Sequence, residues 1–539
     1  MQLKQNSSNQ KLRGAYYTPT ELANSIVSLI DFDKVQNVLE PSCGDGVFVD
    51  SIVSLVNTDV NITGVEIEKE ESEKVNLRYK GNKKIDIFTD DFLNFYEKEY
   101  DENRYDLIIG NPPYIRYQYL SEGQREIQSK ILTDHGMKSN KLINTWVCFL
   151  VACVQMLSSK GTIAFVIPAE ILQVAYAEDL RKFLSDQLSK ITLITFEKLI
   201  FPDIEQEIVV LIGEKGGEEK GIRIVEMKDL SGFKELDLKK NGYMKLKHTK
   251  EKWTKYFISK DDVELIQKIR KDKRFVKFSD YGKINVGITT GNNDYFSIDN
   301  ETEKKYGLSS VTLPLIGRSS HAHGIFFNTE DWTENVNSGK KAMLVNFPNE
   351  VSDAFPEAHK AYIKYGEKSD QNSGYKCSIR DNWYAVPSVW VPDAFFLRRN
   401  NLYPKFVLNS CEAVSTDTMH RMKFNDGVDP DEVLLSYYNS ISFAFTEICG
   451  RSYGGGVLEI LPGEMGNIML PLISSIDADL KSELIGKIDK IVRDKDDIEL
   501  ALDIVDKKIL IDILGIDELL CNRFRNIWKK LQQRRLGRS

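Results

Sequence analysis

The sequence lacks several features that would assign it to common protein classes. Its seven cysteines are an odd number and include no C-x-x-C pair, which argues against a disulfide framework and against structural zinc. No run approaches the roughly 18 apolar residues of a membrane span. The polar N-terminus also lacks the apolar core of a signal peptide. We therefore expect a protein of the reducing cytoplasm that has no membrane partner.

Motifs of several enzyme classes are missing as well. The turn at Gly44 and Gly46 is not a full G-x-G-x-x-G, and no Gly-Lys-Ser/Thr follows it to bind phosphate. The H-x-E and P-C-x-x-C pattern of zinc deaminases does not occur. His321 and His323 have no evident third ligand, so we predict no metal site. A nucleotide-like ligand without a pyrophosphate fits the glycine turn better.

Length and charge indicate a soluble protein of more than one domain. The 539 residues exceed what one core usually holds, and 42% are hydrophobic while 28% are charged. Residues 1–245 carry 30 basic and 38 acidic side chains, so the whole net charge of −8 lies there. Residues 247–277 hold eleven basic and five acidic residues. Such a basic stretch is typical of a phosphate-binding surface and equally of a solvated helix.

The first 215 residues alternate strand and helix patterns. Between the strands lie amphipathic stretches at Val47–Val56, Leu142–Leu157 and Glu170–Leu188. The predicted strands are Asn37–Glu40, Ile62–Glu66, Ile85–Phe88, Leu107–Ile109, Thr162–Ile167, Ile191–Phe196 and Ile208–Ile212. This alternation predicts an α/β fold with a parallel, Rossmann-like, doubly wound sheet. Ligands of such sheets bind beyond the carboxyl ends of the strands.

The pattern changes after residue 245. Residues 246–475 are irregular and rich in aromatic residues, which predicts a separate, mixed α+β domain. Residues 476–539 return to a helical pattern. That segment is either a helical pair that packs back on the body, which we favour, or a coiled coil for a partner.

The stretch Asn111-Pro112-Pro113-Tyr114 follows an apolar strand and carries the most chemical information. Two prolines stiffen the backbone. The Asn111 side-chain oxygen and the Pro112 carbonyl could together accept hydrogen bonds from a planar –NH2 group, while Tyr114 stacks on the attached ring. The alternative is an ordinary strand-terminating turn, since Asn and Pro are common turn residues.

Three other strands also end in residues suited to a ligand. The first predicted strand ends at Glu40 and leads into the turn up to Gly46, the second ends at Glu66, and the third is followed by Asp90 to Phe92. A glycine turn lets a ligand approach the backbone, and an acidic residue about 20 positions later often binds a ribose. Each motif alone also has a purely structural explanation: the glycine turn could be an ordinary loop, and the glutamate a surface residue at the start of a helix. Four in succession at one sheet edge indicate a binding site.

This order of motifs resembles the S-adenosylmethionine-dependent DNA methyltransferases. The motifs are Glu-Pro-x-Cys-Gly-x-Gly from Glu40, Val-Glu-Ile from Val65, Asp-Phe-Leu from Asp91 and Asn-Pro-Pro-Tyr from Asn111. An upstream Tyr-Tyr-Thr-Pro at 16–19 is similar to the cofactor motif of the γ class, as in TaqI-like adenine-N6 enzymes. Shorter matches at 289–296 and 452–458 resemble that family's target-recognition region.

The resemblance implies a role for each matching residue. It implies that Asn111, Pro112, Pro113 and Tyr114 are catalytic, and that Tyr114 and Phe201 form the target-base pocket. It implies S-adenosylmethionine binding by Tyr17, Thr18, Pro19, Glu40, Cys43, Gly44, Gly46, Glu66, Ile67, Asp91 and Phe92. It also implies a catalytic domain at 1–245, a DNA target-recognition domain at 246–475 and a C-terminal helical segment at 476–539.

We therefore expect a site-specific methyltransferase that acts on N6 of a flipped-out adenine in double-stranded DNA. It would serve a restriction-modification or related system, with a cognate endonuclease that forms no stable complex with it. A protein-glutamine N5 methyltransferase is an alternative because a side-chain amide is also a planar –NH2, but those enzymes lack a large second domain. Cytosine-N4 methylation uses the same geometry. A non-catalytic DNA-binding subunit would be expected to have lost motif residues, and all are present here.

Overall fold

The chain folds into two compact units in a computed structural model. The structure describes residues 17–57, 59–198, 200–201, 207–236, 238, 242–245, 252–473 and 476–537. The first unit extends to Lys260 and the second runs from Asp261 to Gly537. The domain boundaries that the sequence predicts at residues 245 and 475 stay a prediction.

One large sheet forms the centre of the first unit. Its strands are β1 (Asn37–Glu40), β2 (Asn61–Glu66), β3 (Ile85–Thr89), β4 (Tyr105–Gly110), β5 (Leu157–Pro168), β6 (Lys190–Phe196), β7 (Ile208–Glu214), β8 (Gly221–Met227) and β9 (Met244–Lys245). Their order is β3-β2-β1-β4-β5-β7-β6-β8-β9. The strand order reverses at β1, where the chain crosses from one side of the sheet to the other, and ligands of such sheets bind at this point.

Helices cover the sheet. They are α1 (Thr20–Ser28), α2 (Val47–Leu55), α3 (Lys69–Arg78), α4 (Phe92–Glu99), α5 (Glu122–Asp134), α6 (Thr145–Met156) and α7 (Glu178–Gln187). Helices α1 to α3 share one hydrophobic core with Val38 and Leu107 of the strands. Leu39 and Ile108, the alternate strand residues, are fully buried as well. Both sheet faces are therefore covered, as the hydrophobic strands predicted.

Two details of the first unit differ from the sequence prediction. Strand β7 runs antiparallel to both β5 and β6, so the sheet is only mostly parallel. A buried apolar strand looks the same in either direction, and only the pairing decides. The predicted helix at 170–188 is two 3₁₀ turns (Ala169–Leu172 and Ala175–Ala177) before α7.

The second unit is a mixed α+β domain, as predicted. Its sheets have the orders β11-β20-β16-β18-β14, β12-β15-β13-β19, β17-β22-β21 and β10-β23. These strands are β10 (Phe275–Lys277), β11 (Gly282–Val286), β12 (Ser297–Ile298), β13 (Thr312–Ile316), β14 (Phe326–Phe327), β15 (Met343–Val345), β16 (Ala394–Leu397), β17 (Arg399–Asn400), β18 (Phe406–Asn409), β19 (Val414–Ser415), β20 (Met419–Phe424), β21 (Arg451–Tyr453), β22 (Val457–Glu459) and β23 (Met469–Pro471).

Helices fill the gaps between these small sheets. They are α8 (Lys260–Ile269), α9 (Asn293–Phe296), α10 (Asn300–Tyr306), α11 (Thr329–Asn337), α12 (Glu357–Lys368), α13 (Tyr375–Ser378), α14 (Pro430–Tyr437), α15 (Ser440–Cys449), α16 (Pro462–Met465), α17 (Ala478–Asp494), α18 (Ile498–Val505) and α19 (Glu518–Leu536). A π-helical stretch (Asp506–Ile513) follows α18. Among the described residues, no helix has both the length and the apolarity that a membrane crossing requires.

The C-terminal helix packs back on the second unit. Helix α19 lies against α15, where the stacked rings of Phe445 and Phe524 are 6.1 Å apart. Arg535 and Glu447 form an ion pair at 2.9 Å and are both almost fully buried. Arg535 also donates to the carbonyl of Gly456 at 2.6 Å. The glycine-rich segment at 454–456 is thereby fixed to the last helix.

Candidate active site

A cavity of about 340 Å³ lies at the carboxyl ends of the first four strands. It is lined by Tyr17, Pro41, Ser42, Gly44, Val65, Glu66, Ile67, Glu68, Glu71, Asp90, Asp91, Phe92, Leu93, Asn111, Pro113, Ile115, Tyr119, Leu120, Gln124, Thr145 and Phe149. Four strands separated by up to 70 positions in the sequence therefore contribute to one site. This is where the fold was predicted to bind a ligand.

The glycine turn after β1 forms one edge of the cavity. Gly44 and Gly46 have φ values of +52° and +85°, which L side chains rarely adopt. A Cβ on Gly46 would lie 2.9 Å from the side chain of Val75, so this glycine lets α2 approach α3 closely. The Cys43 amide donates to the Val65 carbonyl at 2.9 Å, which ties the turn to β2. Gly44 thus presents bare backbone to the ligand.

Glu66 is the last residue of β2. Its carboxylate accepts the backbone N–H of Gly44 and that of Glu68, each at 2.8 Å. Burial raises the pKa of Glu66, and these two hydrogen bonds oppose the rise. The side chain therefore holds the glycine turn beside the start of α3. Ile67 next to it is 57% exposed and lines the cavity.

The charge of the cavity favours a cationic ligand. Its described lining residues include the carboxylates of Glu66, Glu68, Glu71, Asp90 and Asp91 and no Lys or Arg. Two of these carboxylates, Glu71 and Asp90, are each paired at 2.7 Å with a lysine that does not line the cavity, Lys74 and Lys98, and the other three give the cavity its acidic character. A phosphate would be repelled there, whereas the sulfonium and ammonium groups of S-adenosylmethionine are attracted. This agrees with the missing phosphate-binding motif.

A buried carboxylate behind the turn supports the same ligand. Glu40 is 2% exposed, and its Oε2 atom has no hydrogen-bond partner among the described residues. Burial raises its pKa well above 4.5, and the neighbouring charges of Asp45 and Glu66 raise it further. An ammonium group would satisfy this acceptor and its charge. Glu40 is not among the described residues that line the cavity, so its fit to the amino-acid end of S-adenosylmethionine rests on its charge and its unpartnered acceptor.

The opposite wall suits a flat aromatic ring. Asp91 caps α4 by accepting the Leu93 amide at 2.9 Å, and its other oxygen accepts from Gln124 at 2.7 Å. Phe92 packs against Phe149 with ring centroids 4.7 Å apart. A carboxylate next to an apolar edge can bind the amine of an adenine ring while the ring packs on carbon.

The Asn-Pro-Pro-Tyr motif contributes Asn111 and Pro113 to the lining of the cavity. Asn111 donates from Nδ2 to the hydroxyl of Thr18 at 3.2 Å. Ser42 donates to the backbone carbonyl of Asn111 at 3.2 Å, which fixes the motif to the glycine turn. The hydrogen bond to Thr18 fixes the orientation of the amide, whose oxygen is its acceptor atom. Thr18 itself is buried, and Pro19 is the N-cap residue of α1.

Tyr114 and Phe201 are not among the described residues that line the cavity. Tyr114 donates to the carbonyl of Val166 at 3.2 Å and packs against the core that contains Phe201. Phe201 is 7% exposed. Pro202, the other half of the predicted turn, lies outside the described residues. The role of Phe201 in a base pocket stays a prediction, as does that of Tyr114. His321 and His323 lie in the second unit, and the described residues contain no group of three or more potential metal ligands.

Comparison with known proteins identifies the family. The N-6 DNA methylase family matches residues 1–291, more than half of the chain. The chain belongs to this family. The C-terminal domain of the type II methyltransferase M.Eco57I matches residues 250–510. Members of the N-6 DNA methylase family use S-adenosylmethionine, so this chain is an S-adenosylmethionine-dependent DNA methyltransferase that modifies adenine N6.

Individual relatives agree with the family. The type II methyltransferase M.AccI of Acinetobacter calcoaceticus is 24% identical over 90% of this chain and 94% of its own length. The type II methyltransferase M.HincII of Haemophilus influenzae is 31% identical, over 42% of each chain. Among solved structures, the restriction-modification enzyme MmeI has a TM-score of 0.55 at 12% identity, over 96% of this chain and 75% of that one. This last likeness shows the fold.

Sequence reasoning missed some residues that line this cavity. Gln124 and Thr145, for example, line it but belong to no motif. The pattern Ser121-x-x-Gln124 is a capping-box signature and could have located the start of α5. It would not have shown that the Gln124 side chain reaches Asp91.

Proposed function

We propose that Asn111 and Pro112 accept hydrogen bonds from the amine of a flipped adenine and that Tyr114 stacks on its ring. The observation that carries this is the amide of Asn111, bound to Thr18 and placed on the wall of an acidic cavity. This arrangement and the Tyr-Tyr-Thr-Pro motif at 16–19 support membership of the γ class. Glu66 holds the ribose of the cofactor, Asp91 its adenine amine and Glu40 its ammonium group.

The proposed mechanism needs positioning rather than a strong base. Bound S-adenosylmethionine supplies an electrophilic sulfonium methyl group. The lone pair of adenine N6 is delocalised into the ring, and two acceptors favour a tetrahedral nitrogen with a localised pair. The C–N bond then forms as the C–S bond breaks, and the carbonyl oxygens stabilise the positive charge on nitrogen. The proton leaves N6 afterwards to solvent.

Removing the target base from the helix has a cost that the site offsets. Flipping a base costs a few kcal/mol, which stacking and polar contacts repay. Tyr114 provides the ring, and the segment after it carries the exposed side chains Arg116, Gln118 and Tyr119. Cations and aromatic rings of this kind contact phosphates and unstacked bases.

The proposal extends to sequence recognition by the second unit. A cavity there of about 460 Å³ is lined by the polar and charged residues Thr289, Asn349, Lys376, Arg380, Asp381 and Asn382 and by apolar residues. Amide and cationic side chains are those that read base edges in the major groove. Arg380 is bound to the carbonyls of Thr289 and Thr290, at 3.2 and 2.7 Å, and shapes the cleft. Asn349, Lys376 and Asn382 are then the candidates that contact DNA.

The likeness to the type II methyltransferases supports a proposal for the cellular role. M.AccI is a type II methyltransferase, and we place this enzyme likewise in the cytoplasm, where it protects host DNA against a cognate restriction endonuclease. The two proteins would share a recognition sequence but form no stable complex. Co-elution of the two in size-exclusion chromatography would contradict that arrangement.

Labelled S-adenosylmethionine incubated with genomic DNA and with protein substrates tests the function directly. We expect label in DNA, as N6-methyladenine after nucleoside digestion. Label in a protein glutamine, or in cytosine, would overturn the assignment. Asn111→Ala should abolish transfer while it leaves S-adenosylhomocysteine affinity almost unchanged. A variant with near wild-type turnover would remove Asn111 from the mechanism.

Sequencing of the methylated DNA tests the recognition cleft. Lys376→Ala should weaken DNA binding equally across sequences and reduce the slope of log affinity against log salt by about one. Asn349→Ala or Asn382→Ala should instead relax the methylated sequence at one position. An unchanged sequence in both asparagine variants would exclude this cleft from base reading.

A further inference from the structure

Gln124 connects two parts of the catalytic unit that are separated in sequence. Its Nε2 donates to Asp91 Oδ2 at 2.7 Å. Its Oε1 accepts the backbone N–H of Ser121 at 3.0 Å, and its own N–H donates to the Ser121 hydroxyl at 3.3 Å. One side chain thus fixes the start of α5 and the carboxylate at the start of α4.

The segment at 115–121, which we call the post-motif segment, runs from the catalytic motif to Gln124. Ile115, Tyr119 and Leu120 of this segment line the same cavity as Asp91. Arg116, Gln118 and Tyr119 are exposed. The segment therefore has one side towards the cofactor site and another that is open to a macromolecular substrate.

Both ends of the post-motif segment are held by hydrogen bonds. Ile115 accepts at its carbonyl from the backbone N–H and the hydroxyl of Thr145, both at 3.0 Å. Arg125 donates to the carbonyls of Tyr117 at 3.2 Å and Gln118 at 3.0 Å. Gln124 is the member of this set that also contacts the proposed adenine-binding carboxylate. Gln124 therefore links Asp91 to Ser121, the last residue of the segment, through its side chain.

We propose that Gln124 is a positioning residue that couples cofactor binding to DNA binding. This rests on the proposed role of Asp91 as acceptor of the cofactor's adenine amine. The carboxylate of Asp91 has about four lone-pair sites, and Leu93 and Gln124 occupy two of them. The adenine amine adds a third donor, while the ring packs against the cavity side of the post-motif segment.

The direction of the coupling follows from this geometry. An occupied cavity restricts Asp91, Gln124 and the post-motif segment together, so that less ordering remains when DNA binds to the exposed side. Cofactor and DNA then strengthen each other's binding by the same factor. Without the Gln124 side-chain amide, cofactor binding in the cavity no longer orders the exposed side of the post-motif segment for DNA.

DNA affinity with and without saturating S-adenosylhomocysteine tests the proposal, measured by fluorescence anisotropy on a duplex that contains the methylated sequence. Wild-type enzyme should bind DNA about fivefold or more tightly when the cofactor product is present, the lower end of common coupling factors. Gln124→Met keeps the bulk but removes the hydrogen bonds, and its factor should fall below about twofold, a loss of most of that coupling. Ser121→Ala is the matched control, because it removes the capping hydroxyl but keeps the bond between Gln124 and Asp91.

Each outcome decides the question. Full coupling in Gln124→Met, no coupling in wild type, or an equal loss in Ser121→Ala would each overturn the proposal. A cofactor-free melting temperature within a degree or two of wild type excludes a general loss of structure in Gln124→Met.

Asp91→Asn tests the underlying role separately. If Asp91 binds the amine, this variant loses its preference for S-adenosylhomocysteine over S-inosylhomocysteine. A retained preference would contradict the proposed function of Asp91. A lost preference together with intact coupling in Gln124→Met would contradict only the role of Gln124.

Discussion

Thr18 accepts a hydrogen bond from the side-chain amide of Asn111 at 3.2 Å, across 93 positions of the sequence. Thr18 is buried, so water does not compete strongly for this bond. The contact joins the segment before α1 to the motif after β4. It means that a residue predicted to bind the cofactor also orients the Asn111 side-chain amide, which we propose is catalytic.

Thr18→Val should lower the rate of methyl transfer measured at saturating S-adenosylmethionine. A hydrogen bond of this kind contributes about 1 kcal/mol, so we expect a loss of about fivefold in the single-turnover rate. Thr18→Ser keeps the acceptor and should retain most of the rate. Equal single-turnover rates for Thr18→Val and Thr18→Ser would show that the amide of Asn111 is oriented by other contacts.

The affinity for S-adenosylhomocysteine should fall as pH decreases. Burial first, then the charges of Asp45 and Glu66, raise the pKa of Glu40 well above 4.5. The ionised form attracts the cofactor's ammonium group, so affinity is highest above this raised pKa and decreases as pH falls through it. The decrease therefore begins at a higher pH than for an ordinary glutamate.

Calorimetric titration of S-adenosylhomocysteine over a pH series measures this decrease. Glu40→Gln cannot ionise, so its affinity should be lower and should follow pH less steeply. The same slope in both proteins would assign the pH dependence to another group.

Gly46→Ala should destabilise the catalytic unit more than Gly81→Ala does. Both glycines have positive φ values, +85° and +93°. A Cβ on Gly46 would meet Val75 at 2.9 Å, whereas one on Gly81 would meet nothing within 4 Å. Both variants incur the backbone cost, and Gly46→Ala adds a steric cost of about 1–3 kcal/mol. Urea unfolding followed by circular dichroism should separate the two, and equal midpoints would contradict the close packing at Val75.

Arg535→Met should strongly destabilise the second unit. Its guanidinium and the carboxylate of Glu447 are almost fully buried, so loss of one leaves an uncompensated charge, at a cost of about 3 kcal/mol or more. The double variant Arg535→Met with Glu447→Leu should recover much of that loss. Lys487→Met removes an exposed ion pair with Glu483 and should leave the unfolding midpoint unchanged. A double variant no more stable than Arg535→Met would mean that the packing of Arg535, not its charge, is responsible.

The strand ends were predictable because each is encoded locally. An apolar run followed by Gly, Pro, Asp or Asn marks where a strand stops, as at Glu40 and at Gly110 before Asn111. In a parallel sheet those ends lie at one edge, so consecutive motifs indicate one site. Tyr17, Gly44, Glu66, Ile67, Asp91, Phe92, Asn111 and Pro113, all named from the sequence, indeed line one cavity.

Contacts between distant side chains were not predictable in this way. Gln124 looks like a capping residue, and nothing in its neighbours shows that it reaches Asp91. The antiparallel direction of β7 and the buried position of Phe201 also depend on pairing and packing across the sheet.

The sequence by itself determined the chemistry of this enzyme, because its reactive groups occur in short motifs at strand ends. Only the tertiary structure decided how those groups are held. Thr18 meets Asn111, Glu66 meets Gly44 and Gln124 meets Asp91 through hydrogen bonds between segments far apart in the chain. Such contacts depend on the path of the whole sheet, which no local pattern encodes.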